Sequence, residues 1–265
     1  IGIFSPETIT IGDLFLGALV PGLILPLLYI VYLKTLNIKN SNINNNTKPD
    51  LYSIFFPLSL MVIVLGSIIL GIATPSEAAG LGALGAIVLS YLQSNLTKET
   101  LDKCIYDSIK LTSMVFMILI GATLFSLVFR GLEGEEFIHR FLIEMPNDKF
   151  MTLLIILLIM FFLGFILDFI EITFIVIPLV GPALFTLGFD PLWIGILIAL
   201  VLQTSFITPP FGFSLFYLRG VLPQSVKTTE IYKGIVPFLF IQLLLVTLVF
   251  IFPSLATYLP ELLFN

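Results

Sequence analysis

Of 265 residues, 58% are hydrophobic and 11% are charged, with a mean hydropathy of +1.12. A soluble globular chain carries about 25% charged residues, so a soluble enzyme is excluded, and so is a disordered chain; a polytopic membrane protein remains. The net charge of −5 offers no basic surface for nucleic acid, and the single cysteine, Cys104, excludes an internal disulfide.

A spanning helix needs about 20 mostly apolar residues. Continuous apolar runs lie at 14–33, 54–71, 76–92, 109–129, 151–167, 170–187, 192–207 and 234–252. They are unbroken rather than alternating, which predicts helices and not a transmembrane barrel. The expected fold is an all-α polytopic membrane protein of about eight spanning helices. A shorter run, 211–222, follows Pro209-Pro210 and reads as one arm of a broken or re-entrant helix hairpin.

The Asn-rich stretch 40–50 reads as a linker, and 94–110 as an amphipathic helix on the membrane surface. Lys34, Lys39 and Lys48 place the first loop in the cytoplasm by the positive-inside rule, with Lys98, Lys103 and Lys110 on the same side and the acidic 130–149 loop outside.

Thr74-Pro75-Ser76-Glu77 has the form of a helix start: a capping threonine, proline at the first position, and a glutamate three residues after the cap. Glu77 therefore reads as a capping residue rather than a transport carboxylate. The helix it opens carries Ala78, Gly82 and Ala86 four apart, a small-residue stripe suited to close packing on a scaffold helix.

Two constellations carry polar chemistry inside apolar sequence. Asp168 and Glu171 interrupt the apolar stretch 151–187 with no Lys or Arg in the same span. A charge at mid-membrane costs at least about 2.5–3.5 kcal/mol and normally faces a cavity or a partner. Two readings stand: the carboxylates face a cation or proton, or Asp168 ends one helix and Glu171 starts the next. The second constellation is Gln203-Thr204-Ser205-Phe206-Ile207-Thr208-Pro209-Pro210-Phe211-Gly212. Two consecutive prolines remove two backbone donors, so the helix from 192 breaks here. Irregular backbone at membrane depth is tolerated where it lines a cavity or is buried in protein. Carbonyls beside the Thr204, Ser205 and Thr208 hydroxyls are suited to a hard monovalent cation. A plain proline kink is the alternative. Glu171, Thr173, Thr204 and Gly212 are candidates for lining the ion or substrate cavity.

The stretch 167–221, together with GIATPSEAAG at 71–80 and IGDLFLGALVPG at 11–22, resembles the large membrane subunit of the tripartite ATP-independent periplasmic (TRAP) transporters. The residues after Asp168 and after Pro210 look closest to the mannitol/chloroaromatic subgroup, which includes 2-oxo-acid systems. The resemblance implies one half of an inverted-repeat elevator transporter: the second repeat, with the first repeat a missing N-terminal partner. By that likeness, sodium is the coupling ion, held by Asp168, Ser205, Thr208 and Pro210, with Gly212 letting the backbone approach closely. No other cofactor is implied. The implied partners are a small membrane subunit, a periplasmic substrate-binding protein and the lipid bilayer, in the bacterial inner membrane. The expected division is 1–129 for the inter-repeat and scaffold helices, 130–222 for the transport unit, and 223–265 for a final span. The expected function is sodium-coupled import of an organic acid. A stand-alone sodium- or proton-coupled carboxylate carrier is the alternative, and an intramembrane enzyme lacks the residues for a nucleophile–base pair or a metal cluster.

Overall fold

The computed structural model describes residues 9–36, 51–93, 96–143, 148–209, 212–222 and 226–264. The Asn-rich linker at 40–50 and Pro210 lie outside these residues. Every regular element among the described residues is a helix.

Local chemistry starts the helices, the first of them three residues ahead of the apolar run at 14–33. Thr10 caps α1 (Ile11–Thr35): its hydroxyl accepts from the Asp13 N–H at 3.1 Å, while the Asp13 carboxylate accepts from the Thr10 N–H at 2.7 Å. After α2 (Leu51–Ile69), the same reciprocal box opens α3 (Pro75–Leu92), with Glu77 accepting from the Thr74 N–H at 2.8 Å. Glu77 is thus the capping residue that its spacing implied.

On α3, Ala78 is fully buried, and a side chain at Gly82 would stand 3.3 Å from Val64 of α2. The stripe then departs from the expected one. Gly85, not Ala86, meets α2, against Leu60, and Ala86 is exposed. Steps of four, then three, follow a 3.6-residue turn better than two steps of four.

The amphipathic segment and the span after it are one helix, α4 (Lys98–Gly131), capped by Thr97. No proline or glycine lies between 98 and 120, so nothing stops the helix at the change of composition. A two-residue turn, with Glu133 at a φ of 58°, leads into α5 (Gly134–Ile143).

The core lies among α6 (Lys149–Leu163), α9 (Pro191–Phe206) and α11 (Thr228–Ile251), closed by α1 and by α12 (Ser254–Phe264). Leu153, Ile156 and Met160 of α6 share one buried cluster with Trp193, Leu197 and Val201 of α9 and with Leu245 and Val249 of α11. Helix α9 is buried on most of its circumference, the mark of a central helix. Small residues let helices approach closely, as at Gly17: a Cβ there would stand 2.9 Å from the Ala256 carbonyl, so α1 and α12 touch by backbone. Tyr29 and Tyr32 of α1 lie edge-on to Phe238 of α11 at 5.0 and 5.5 Å. Where α6 starts, the Lys149 ammonium sits 5.1 Å from the Phe189 ring centre, beside Trp193 and Phe250.

The Trp193 indole N–H donates to the Val249 carbonyl at 2.7 Å. Trp193→Phe removes that donor and leaves a buried carbonyl short of a partner, which costs about 1–3 kcal/mol. The expected result is a lower melting temperature of the detergent-solubilised protein, read by a thermal-shift assay.

Among the described residues, four helices are long and apolar enough to cross a membrane: Ile11–Thr35, Pro75–Leu92, Lys98–Gly131 and Thr228–Ile251. Others at the expected spans are apolar but shorter, among them Lys149–Leu163 and Pro191–Phe206. Large apolar side chains face outward along α2 and α4, such as Val62 and Leu124, as a lipid-facing surface requires. The chain is a membrane protein.

Candidate functional site

Two interrupted helices meet at the centre of the candidate site. Helix α6 ends at Gly164, and the turn 164–168 closes with the Leu167 N–H on the Leu163 carbonyl at 2.8 Å. Asp168 then caps α7 (Phe169–Glu171), its Oδ1 accepting from the Phe169 N–H at 2.7 Å. Glu171 closes the reciprocal box, accepting from the Asp168 N–H at 3.3 Å. Both carboxylates are half-buried. Asp168 does not end a helix: α6 stops at Leu163, and Asp168 and Glu171 together start the next one. The carboxylates serve that start, and each retains further lone pairs.

The chain continues through a π turn, Ile172–Val176, into α8 (Ile177–Thr186). Pro178 brings no N–H for the carbonyl four residues back, and its ring needs room, so the turn before it widens. The Ile177 N–H accordingly reaches five residues back to Ile172. The Thr173 hydroxyl donates to the Phe169 carbonyl at 2.7 Å.

Helix α9 ends at Phe206, two residues before Thr208-Pro209, and the chain resumes as α10 (Phe213–Val221). The helix therefore breaks rather than kinks. Thr204, Ser205 and Thr208 are all buried. Each hydroxyl donates to a carbonyl of its own helix: Thr204 to Leu200, Ser205 to Leu202 and Thr208 to Thr204, each at 2.7 Å. A hydroxyl that has given its proton to a carbonyl offers only lone pairs to anything else. Three buried oxygens at this break are therefore acceptors, the polarity that a cation requires.

The two breaks touch. A Cβ on Gly164 would overlap the Ser205 hydroxyl and stand 2.7 Å from the Ser205 Cβ. Phe169 and Phe206 meet edge to face at 6.3 Å. Within the second break, a Cβ on Gly212 would stand 2.9 Å from the Phe206 carbonyl oxygen and 3.0 Å from the Thr208 nitrogen. Only a glycine lets the chain fold back this closely. The Arg219 guanidinium donates to the Val226 carbonyl and ties α10 to the segment before α11.

Beside the meeting point is a largely apolar cavity of about 470 Å³, walled by Phe169, Thr173, Ile198, Leu202, Gln203 and Phe206 among others. Of the cavity candidates, Thr173 lines it; Thr204 and Glu171 do not, and Gly212 belongs to the turn. Gln203 does line it, and its signal was a long amide in an otherwise apolar helix. Gly164, read only as part of the Asp168 segment, is the residue on which the two breaks rest. Among the described residues, no three His, Cys, Asp or Glu side chains gather as a metal site.

Comparison with known proteins gives the family. A profile described as "Tripartite ATP-independent periplasmic transporter, DctM component" matches residues 3–255. The sialic acid TRAP transporter large permease protein SiaM of Vibrio cholerae is 27% identical over 78% of this chain and 48% of its own length. The C4-dicarboxylate TRAP transporter large permease protein DctM of Pseudomonas aeruginosa is 30% identical over 77% of this chain and 48% of its own. The isethionate TRAP transporter permease protein DctMQ of Oleidesulfovibrio alaskensis is 28% identical over 75% and 32%. The chain spans about half the length, or less, of these relatives. With the profile covering nearly the whole chain, this protein belongs to the DctM family of tripartite ATP-independent periplasmic transporter permeases.

Proposed function

We propose that this chain forms the C-terminal half of a large TRAP permease that imports an organic acid across the bacterial inner membrane, driven by sodium. The observation that carries the reading is the contact of two broken helices, with three buried hydroxyls there turned into acceptors. Sodium would be held by oxygens of Ser205, Thr208 and Asp168, with Pro210 added by the family resemblance, and would order the junction for the anion. The relatives support an anionic cargo: sialic acid, C4-dicarboxylates and isethionate are all anions at neutral pH. A 2-oxo acid fits the same class, in keeping with the mannitol/chloroaromatic subgroup. In this reading, residues 130–222 move as an elevator against the scaffold of 1–129, and 223–265 add the last span. A first repeat, a small membrane subunit and a periplasmic binding protein complete the machine, which makes no chemical change in its cargo.

The test is uptake by the complete transporter in proteoliposomes. Labelled succinate, pyruvate and N-acetylneuraminate are offered with and without the binding protein, under an inward sodium gradient and without one. The expected result is accumulation of at least one acid that needs both the gradient and the binding protein. Uptake that needs the gradient alone would favour the stand-alone carrier.

A further inference from the structure

The cavity beside the two breaks has a chemistry of its own. Its volume of about 470 Å³ lies within the range of about 300–1,000 Å³ that small-molecule sites occupy. Phe169 and Phe206 wall it, their rings 6.3 Å apart, and each directly follows a candidate ion ligand, Asp168 or Ser205. The cavity therefore lies at the edge of the junction. Its wall is mainly carbon, with Ile198 and Leu202 buried on α9. Among the described residues that line it, none is charged, and two side chains are polar: Thr173 and Gln203. The Thr173 proton is already given to the Phe169 carbonyl at 2.7 Å, so this hydroxyl offers lone pairs alone. The Gln203 amide is exposed, and it is the one side-chain donor left in that wall.

We propose that this cavity takes the hydrocarbon body of an aliphatic monocarboxylate, whose carboxylate sits at the junction and accepts from the Gln203 amide. The three buried acceptors of the break repel an anion, so the carboxylate binds there with sodium in place. A second carboxylate at the far end of the cargo would be buried against carbon with neither cation nor donor, which is costly. The cavity thus selects against C4-dicarboxylates, the cargo in the name of one relative. The inference rests on the transport reading above and gives it a substrate class.

The test is thiol protection on the complete transporter in nanodiscs, without the binding protein. Cys104, the only cysteine of this chain, is replaced by serine, as is any cysteine elsewhere in the transporter. Ala199 lines the cavity and is exposed, so Ala199→Cys supplies the thiol, which a maleimide labels. Straight-chain acids from acetate to hexanoate are then added with sodium. The concentration that halves the labelling rate is expected to fall about fourfold for each added methylene, until the cavity is full. Adipate is expected to protect at least about tenfold less well than hexanoate. Hexanoate is expected to exceed its neutral amide by at least about tenfold, and Gln203→Leu to remove most of that advantage. A flat chain-length series overturns the proposal, and so does adipate equal to hexanoate. Hexanamide equal to hexanoate assigns the cavity to lipid chains instead, and a thiol that never reacts shows it to be covered by protein; either overturns the proposal. An unchanged acid-to-amide ratio in Q203L overturns the assignment of the donor. The chain-length series needs no change at Gln203, so it decides even where Q203L fails to fold. A flat series beside sodium-driven uptake of any acid leaves transport standing. Protection without sodium-driven uptake of any acid, hexanoate included, overturns the transport reading instead.

Discussion

Thr208→Val is expected to abolish sodium-dependent uptake, while Thr208→Ser retains it. Valine keeps the shape of threonine and removes the oxygen. Thr208 is buried, and its proton is already given to the Thr204 carbonyl at 2.7 Å, so the group lost is an acceptor facing the junction. Asp168→Asn is the companion variant. Asparagine caps a helix as well as aspartate does, so the start of α7 survives and only the charge is removed. The expected reading is a loss of sodium-driven uptake in both T208V and D168N, with melting temperatures close to that of the unaltered protein. Retained uptake with an unchanged sodium dependence in both would sink the ion-site assignment. It would reduce Asp168 to the capping role its hydrogen bonds display.

The second large effect is expected at Gly164, a packing position. An added Cβ would meet the Ser205 hydroxyl and lie 2.7 Å from its Cβ. Neither partner can yield easily. Ser205 is buried on a central helix, and Gly164 ends α6 with its N–H on the Met160 carbonyl at 2.9 Å. Overpacking of this kind costs about 1–3 kcal/mol. Gly164→Ala is expected to lower the melting temperature by several degrees and to remove uptake, because the two breaks are pushed apart. Ser205→Gly makes room. The double variant G164A/S205G is expected to recover the melting temperature but not the sodium-dependent uptake, since the Ser205 oxygen is gone. That split separates the packing role of Ser205 from its proposed ion role. Recovery of both properties would confine Ser205 to packing. Recovery of neither would mean that the breaks are not held by this contact.

Much was legible in the residues alone. The shortage of charge excluded a soluble chain, and the apolar runs gave helices in nearly the right places. The capping signal of Thr74-Glu77 is local, resting on residues three apart, and it read correctly. So did the end of α9 before Pro209-Pro210, because a proline imposes its break whatever the surroundings. The extent of α4 was less legible. A change from amphipathic to apolar composition is a change of solvent and carries no stop signal for the backbone.

What only the tertiary structure decided is which groups meet. Sequence spacing showed polar interruptions at Asp168 and Glu171 and at Pro209-Pro210 but contained no distance between them. Their contact depends on α6 and α9 packing through Ile156, Met160, Trp193 and Leu197 until Gly164 reaches Ser205. Nor did the residue types show that the Thr204, Ser205 and Thr208 protons turn back to their own helix, which makes all three oxygens acceptors. The sequence by itself therefore determined a helical membrane protein and where its helices break, since both depend on local hydration and backbone chemistry. The tertiary structure decided that the two breaks meet, because burial and contact are properties of packing between distant segments.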